Sequence, residues 1–359
     1  MKQRLLAVGI LILMASSMAG LTAYAFSNPP VHTVAIASMA PATSTADPTL
    51  SPTPHHPITG TYLLSFHACN PETTDCADPR HHQTYLAQSN DGAHWTLVPG
   101  WTPYGGETVG SVPDVIRRGD TIYVYTPNYV RRYRVASGVW EDPVPVYLSD
   151  PDSEGYVDPS LFVDAQGRLV LFYLVNEPGK KKPEETDQET WRVHSAVEVP
   201  GSDGTQFVAE AGDRVQIVGE EMTTDPDIFY DGTRYVLYLS RGLNILAFSS
   251  DTLHGTYTPI SQLPENGHLT AAGGVGSGYY HQATSQYWTY VHDSQGNILR
   301  ATHTTLDHFL GTGEFTRVID GASIGLGSSY HVESPGFAVN LPYPTPAADL
   351  HVFLPWILR

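Results

Sequence analysis

Four carboxylic acids stand out by their neighbours. Asp114 follows Pro113, Asp158 precedes Pro159, Asp225 precedes Pro226, and Glu333 is followed by Ser334-Pro335. Each heads a short apolar segment. The three aspartates read as equivalent places in the repeats PDVIRRGDTIYVYTP (113–127), DPSLFVDAQGRLVLFYL (158–174) and DPDIFYDGTRYVLYLS (225–240). Carboxyl groups brought together from separate segments can perform acid–base hydrolysis: one gives a proton to a leaving oxygen while another activates water or attacks. Crowding raises the pKa of such a group and keeps it protonated near neutrality. An Asp beside Pro also has a purely architectural use, capping a turn or bonding backbone amides.

The elements that must position these acids are strands. Each repeat runs from an apolar strand through Gly-Asp, Ala-Gln-Gly or Asp-Gly into a second strand rich in Tyr, Val and Leu, the pattern of a hairpin. A weaker copy spans 268–293 and a fifth, headed by Glu333, spans 331–357. Segments 84–98, 244–260 and 297–309 supply outer strands. Tyr235-Val236-Leu237-Tyr238-Leu239 is apolar on both faces, so its sheet is covered on both sides. A parallel α/β sheet would need amphipathic helices, which are missing. Repeats of this kind build a radial array. The expected fold is all-β, a five-bladed β-propeller with first strands near 114, 158, 225, 271 and 333. The C-terminal hairpin joins residues 60–98 in one composite blade that shuts the ring; a six-bladed ring stays open if 60–98 form a blade of their own. First strands line the axis and open at one end, so acids distant in sequence converge.

Composition bounds the rest. Apolar residues make up 41% and charged residues 16%, with 21 Tyr and 32 Gly, a strand-and-turn balance. Residues 1–25 read as a signal peptide: Lys2 and Arg4, an apolar run from Leu5 to Leu21, then Ala23-Tyr24-Ala25 as a cleavage site. The alternative is an uncleaved membrane anchor. Residues 26–57, rich in Pro, Ser and Thr, read as a disordered linker, and 58–359 as the propeller domain. The expected location is therefore secreted or at the extracellular surface, where Cys69 and Cys76 form a small-loop disulfide. A net charge of −18 argues against nucleic acid and anionic lipid partners. The glycine run 273–278 lacks the strand–helix setting of a phosphate loop, which excludes nucleotide. There is no Ser nucleophile elbow and no HExxH motif, and no metal site is expected. SNDGAHW (89–95) reads as a structural turn. NEPGKKKPEETDQET (176–190) reads as a surface loop. Among the aromatics, Trp101, Tyr156 and Tyr330 fall near inner-strand starts and are candidate sugar contacts, as is His331, two residues before Glu333.

These motifs carry a resemblance. The Asp-led repeats resemble the five-bladed propellers of glycoside hydrolase family forty-three and its arabinanase, levansucrase and invertase relatives, from roughly residue 60 to the end. VPDVIRRGDTIYVYTP resembles their first-blade strand, which implies Asp114 as general base. VDPSLFVDAQGRLVLFYL is similar to the second-blade strand, which implies Asp158 as the group that tunes the acid and orients substrate. TDPDIFYDGTRYVLYLS stands where the family has a Glu-Gly-Pro strand bearing the general acid. That position falls on Asp225, one methylene short. Glu333, in Glu-Ser-Pro-Gly, and Glu220 or Glu221 are the alternatives. The resemblance implies a secreted glycosidase acting on arabinose-, xylose- or fructose-containing oligo- or polysaccharides, with no required cofactor; a calcium ion near the axis is implied by resemblance alone. The competing reading is a non-catalytic propeller that binds carbohydrate or protein at the cell surface.

Overall fold

The computed structural model describes residues 57–105, 110–176, 189–219 and 221–342. The expected signal peptide, nearly all of the linker and most of the 176–190 insertion lie outside the described residues. Among the described residues no helix is long and apolar enough to cross a membrane.

Strands with two apolar faces dictate the architecture. Every residue of Leu169–Leu174 is buried. Leu171 and Tyr173 pack with Tyr123 and Tyr125 of the preceding sheet, while Val170 and Phe172 pack with Leu237 and Phe248 of the following one. The alternation repeats in Tyr235–Arg241, where Val236 and Tyr238 face one neighbour and Leu237 and Leu239 the other. Such strands need a sheet on each side. Each large side chain fully buried between sheets contributes roughly 1.5–3 kcal/mol.

The result is five sheets. From the inside out, blade one is Asp114–Arg118, Thr121–Thr126, Tyr129–Arg134 and Val139–Trp140. Blade two is Val157–Val163, Leu169–Leu174, Glu189–Glu198 and Gln206–Ala209, with Tyr147–Ser149 added in parallel at its edge. Blade three is Thr224–Tyr230, Tyr235–Arg241, Asn244–Ser250 and Thr258–Pro259. Blade four is Gly274–His281, Gln286–His292, Ile298–His303 and Phe315–Ile319. Blade five is composite: His331–Val339 from the C-terminal side pairs with Tyr62–Cys69, followed by Gln83–Ser89 and Thr96–Leu97. Each inner strand touches the next, blade five against blade one included, so the ring closes.

The five-bladed ring and its composite closure are as expected, and the six-bladed alternative is not adopted. Two boundaries move. His268–Thr270 pairs with the third strand of blade three, so the inner strand of blade four begins at Gly274 rather than near 271. The C-terminal segment gives one described strand rather than a hairpin, its second limb lying outside the described residues. Cys69 and Cys76 are joined by a disulfide. In SNDGAHW, Ser89 Oγ accepts the Gly92 N–H at 2.9 Å and Asp91 Oδ1 accepts those of Ala93 and His94. Gly92, with a φ of 69°, sits against the Trp288 ring, where a Cβ has no room.

Candidate functional site

One backbone device recurs around the axis. Val112, Asp158, Asp225, Val275 and Ser334, one at the head of each inner strand, all hold a left-handed φ between 43° and 56°. That conformation is uncommon for any non-glycine residue and an outlier for valine, so the surrounding ring must enforce it. Each is followed by Pro or Gly, and then by Asp114, Ser160, Asp227, Ser277 or Gly336.

The residues of this third position latch one blade to the next. Leu161 N–H donates to Asp114 Oδ2 at 2.7 Å, and Ile228 N–H to Ser160 Oγ at 3.1 Å. Gly278 N–H donates to Asp227 Oδ2 at 2.8 Å, and Phe337 N–H to Ser277 Oγ at 3.0 Å. Ser277 Oγ in turn donates to Asp227 Oδ1 at 2.9 Å. At the fifth seam Gly336 leaves room for Asp114, whose Oδ1 lies 2.7 Å from where a Cβ would be, and Ser65 Oγ donates to Pro113 O at 3.0 Å instead.

This register corrects the expectation that Asp114, Asp158 and Asp225 are equivalent. Aligned on the backbone, Asp158 and Asp225 correspond to Val112, and Asp114 corresponds to Ser160 and Asp227. Pro-Asp and Asp-Pro look alike in sequence but place the carboxyl on opposite sides of the ring residue, two positions apart. Asp114 is thus a buried latch between blades one and two, and blade one brings no acid to the place that Asp158 and Asp225 occupy.

Asp158 and Asp225 form a pair. Asp225 N–H approaches Asp158 Oδ2 at 3.4 Å, and Thr224 Oγ1 donates to Asp225. Burial pushes both carboxyls up from the usual range, and the Asp225 charge pushes Asp158 further. Burial also raises Asp227 to about 7, against the Gly278 N–H and Ser277 hydroxyl, and raises Asp114, where the Asp227 charge adds to it. None of these four acids has a Lys or Arg partner among the described residues.

Glu333 is the opposite case. Its Oε2 lies 3.5 Å from His67 Nε2 and its Oε1 3.7 Å from His331 Nδ1. Burial works to raise its pKa, but His67, His292 and His82 outweigh that and hold it at about 2. Burial also pushes His67 down to about 4, so its ring is neutral at pH 7. Val112 N–H donates to His67 Nδ1 at 3.1 Å, which leaves the proton on Nε2, facing Glu333. Ser334 N–H donates to His292 Nδ1 at 3.2 Å in the same way. In a five-membered ring, blade five stands across the axis from the seam of blades two and three. Glu333 belongs to that blade, beside Ser334 of the ring, and its partners are the histidines around it. The axial cavity among the ring residues is only about 20 Å³, room for one water.

The other expected contacts divide. Tyr156 is fully buried, and its hydroxyl donates to Thr126 O at 2.9 Å, which places it in the core and corrects the sugar-contact reading. Trp101 packs edge-on against Trp140 and under Arg131, its Nε1 donating to Thr84 O, so it too belongs to the packing between blades five and one. Tyr330 and His331 do line a cavity, one of about 450 Å³ beside blades four and five. Glu221 is exposed, 3.8 Å from Arg241. Glu220 lies outside the described residues. Asp227, His67 and His292 went unrecognised in the sequence. Alignment of the repeats on proline would have found Asp227; nothing local marks the two histidines. The residues do not fit the calcium that the resemblance implies. No group of three or more His, Cys, Asp or Glu among the described residues is placed to hold a metal, and the imidazoles gathered around Glu333 are not the oxygen donors calcium takes.

Fold and site together define a five-bladed propeller that carries two unlike carboxyl centres, one at the seam of blades two and three and one on blade five. No protein-family model matches the chain, and no curated protein matches it in sequence. Among solved structures, the neighbours include family forty-three glycoside hydrolases. A protein of a xyloglucan utilisation locus of Bacteroides ovatus has 16% identity and a TM-score of 0.43, covering 80% of this chain and 54% of that one. The chain thus spans about half the length of that neighbour. An arabinoxylan arabinofuranohydrolase from Bacillus subtilis, solved with cellotetraose, has 15% identity and a TM-score of 0.47, covering 82% and 67%. A β-xylosidase/α-arabinofuranosidase from a compost metagenome, solved with xylotriose, has 12% identity and a TM-score of 0.45, covering 80% and 92%.

Proposed function

We propose that this protein is a secreted glycoside hydrolase that cleaves a pentose- or fructose-containing glycan. The observation that carries the reading is the split in protonation around the ring: a buried Asp158–Asp225 pair that retains a proton, and a Glu333 on blade five that is ionised. Environments that push carboxyl pKa values apart assign acid and base. The pair donates its proton to the glycosidic oxygen. Glu333 acts on the anomeric centre from the other side, directly or through water. His67 and His292 keep Glu333 charged, while Asp114 and Asp227 hold the blades in register.

The test is hydrolysis of aryl arabinofuranosides, aryl xylosides and natural glycans by wild type, Asp158→Asn and Glu333→Gln. Each variant should lose about 10²–10⁴ in rate while remaining folded. Undiminished turnover in both removes the assignment. One observation favours a second reading, a non-catalytic carbohydrate-binding propeller: Val112 stands where blades two and three carry acids. Glycan binding without hydrolysis by the wild type would select it.

A further inference from the structure

The cavity of about 450 Å³ beside blades four and five lies off the axis and falls in the size range of small-molecule sites, about 300–1,000 Å³. Its walls are built rather than incidental. One wall is the loop 320–330, folded on itself by hydrogen bonds from Ile324 N–H to Asp320 O and from Leu326 and Gly327 N–H to Gly321 O. Gly321 packs so closely there that a Cβ would lie 2.3 Å from Gly327 O. A second wall is the turn at 293–297, where Asp293 Oδ1 accepts the N–H groups of Gln295 and Asn297. Residues 71–72, inside the disulfide-closed loop, complete it.

The lining chemistry is that of a polyol site. Arg317 Nε lies 3.2 Å from Asp320 Oδ2. A guanidinium beside a carboxylate offers donors and an acceptor side by side, which matches two neighbouring hydroxyls that each donate and accept. Gln295 and Asn297 add amides, and Tyr330 adds one aromatic ring. Glu72 and Asp320 outweigh Arg317 in charge, which disfavours an anionic sugar. His331 lines the cavity and stands 3.7 Å from Glu333, so the space adjoins one of the two carboxyl centres through a single side chain.

We infer that this cavity is a saccharide subsite that takes the neutral part of an oligosaccharide extending beyond the bond at Glu333. The placement relative to the cleaved bond rests on the hydrolase reading; the saccharide site itself does not. The full-length protein carrying Asp158→Asn, so that turnover is slowed, is titrated calorimetrically with neutral xylo- and arabino-oligosaccharides. Arg317→Ala and Tyr330→Ala are then added to that background, with thermal melting as the check on folding. Arg317 is exposed and Tyr330 is half-buried against the core, so each substitution should weaken binding roughly tenfold, Arg317→Ala without moving the melting temperature and Tyr330→Ala with a fall in it that Tyr330→Phe, which keeps the ring, avoids. Affinity for a neutral oligosaccharide that both substitutions leave unchanged overturns the subsite, as does failure of every such glycan to bind. Binding that depends on Arg317 and Tyr330 in a wild type that hydrolyses nothing upholds the saccharide site and overturns its placement beside a cleaved bond. Hydrolysis whose KM for long substrates is indifferent to both substitutions does the reverse.

Discussion

Asp114 and Arg118 begin and end one inner strand of blade one, and the two ends treat buried charge in opposite ways. At the Arg118 end every acid is matched. Arg118 pairs with Glu198, which also accepts N–H groups from Leu169 and Gly204 at 3.1 and 2.7 Å. The Tyr123 hydroxyl bridges Arg118 and Asp203, and Arg132 and Arg134 each bind both Asp203 and Glu141. Burial alone would raise Asp203 and Glu141, but the arginines outweigh it and hold both down. At the Asp114 end four acids are buried with no cation, and all are raised. Burial of carboxyls therefore does not by itself mark chemistry. The matched acids Asp203 and Glu141 are held ionised in a seam between blades one and two, whereas the unmatched set is pushed toward its protonated form, and within it Asp158 and Asp225 are not tied up as latches.

Substitutions can break that contrast. Arg118→Met leaves Glu198 buried and unpaired and should cost about 3–5 kcal/mol in denaturant unfolding; a loss under about 1 kcal/mol would show that the Arg118 end is not held by charge. At the other end the sign differs. Asp158→Asn replaces a group that prefers to be neutral, so stability at pH 7 should hold or rise while hydrolysis falls about 10²–10⁴-fold. A large fall in stability there would make Asp158 a structural fixture like Glu198.

Acid titration sharpens the same point. Asp227 binds its proton more tightly folded, near 7, than unfolded, near 3.8. Between those values the native state holds more protons than the unfolded one, so this group's contribution to stability falls as pH rises from about 4 to about 7. Asp203 and Glu141, held low, act in the other direction, and their contribution is lost only as pH falls below the ordinary carboxylate range. His67, pushed down to about 4, works against this in the same window, so the readout is a difference: from pH 4 to 8 the melting temperature of Asp227→Asn should gain on that of the wild type as pH rises. A difference that does not change with pH assigns the effect elsewhere. The smallest effect concerns a core tyrosine: Tyr156→Phe loses a hydroxyl shared between Thr126 O and Tyr129 O, about 1 kcal/mol of unfolding free energy, with kcat/KM unaltered. A marked rise in KM would return Tyr156 to the substrate.

Much of the propeller was legible in the chain because its cause is local. Two-faced apolar strands such as Tyr235–Arg241, separated by glycine turns, admit few arrangements other than sheets stacked around an axis. The unpaired N-terminal strands likewise called for a C-terminal partner. Asp114, Asp158 and Asp225 were legible as residues but not in register, and Asp227 was missed. Nothing in Pro-Asp against Asp-Pro shows which residue will be forced to a left-handed φ, since that strain is imposed by five strands crowding one axis.

Sequence by itself determined the strand repeat, the disulfide partners and most of the acids near the strand heads, and it left five and six blades both open. Tertiary structure alone decided which acids are latches and which are available. Protonation is set by what surrounds a carboxyl: Glu333 meets His67 only because the last described strand pairs with the first, and Asp158 meets Asp225 only because blade two adjoins blade three. Those distances are made by closing the ring, across separations over which chain order carries no electrostatic information.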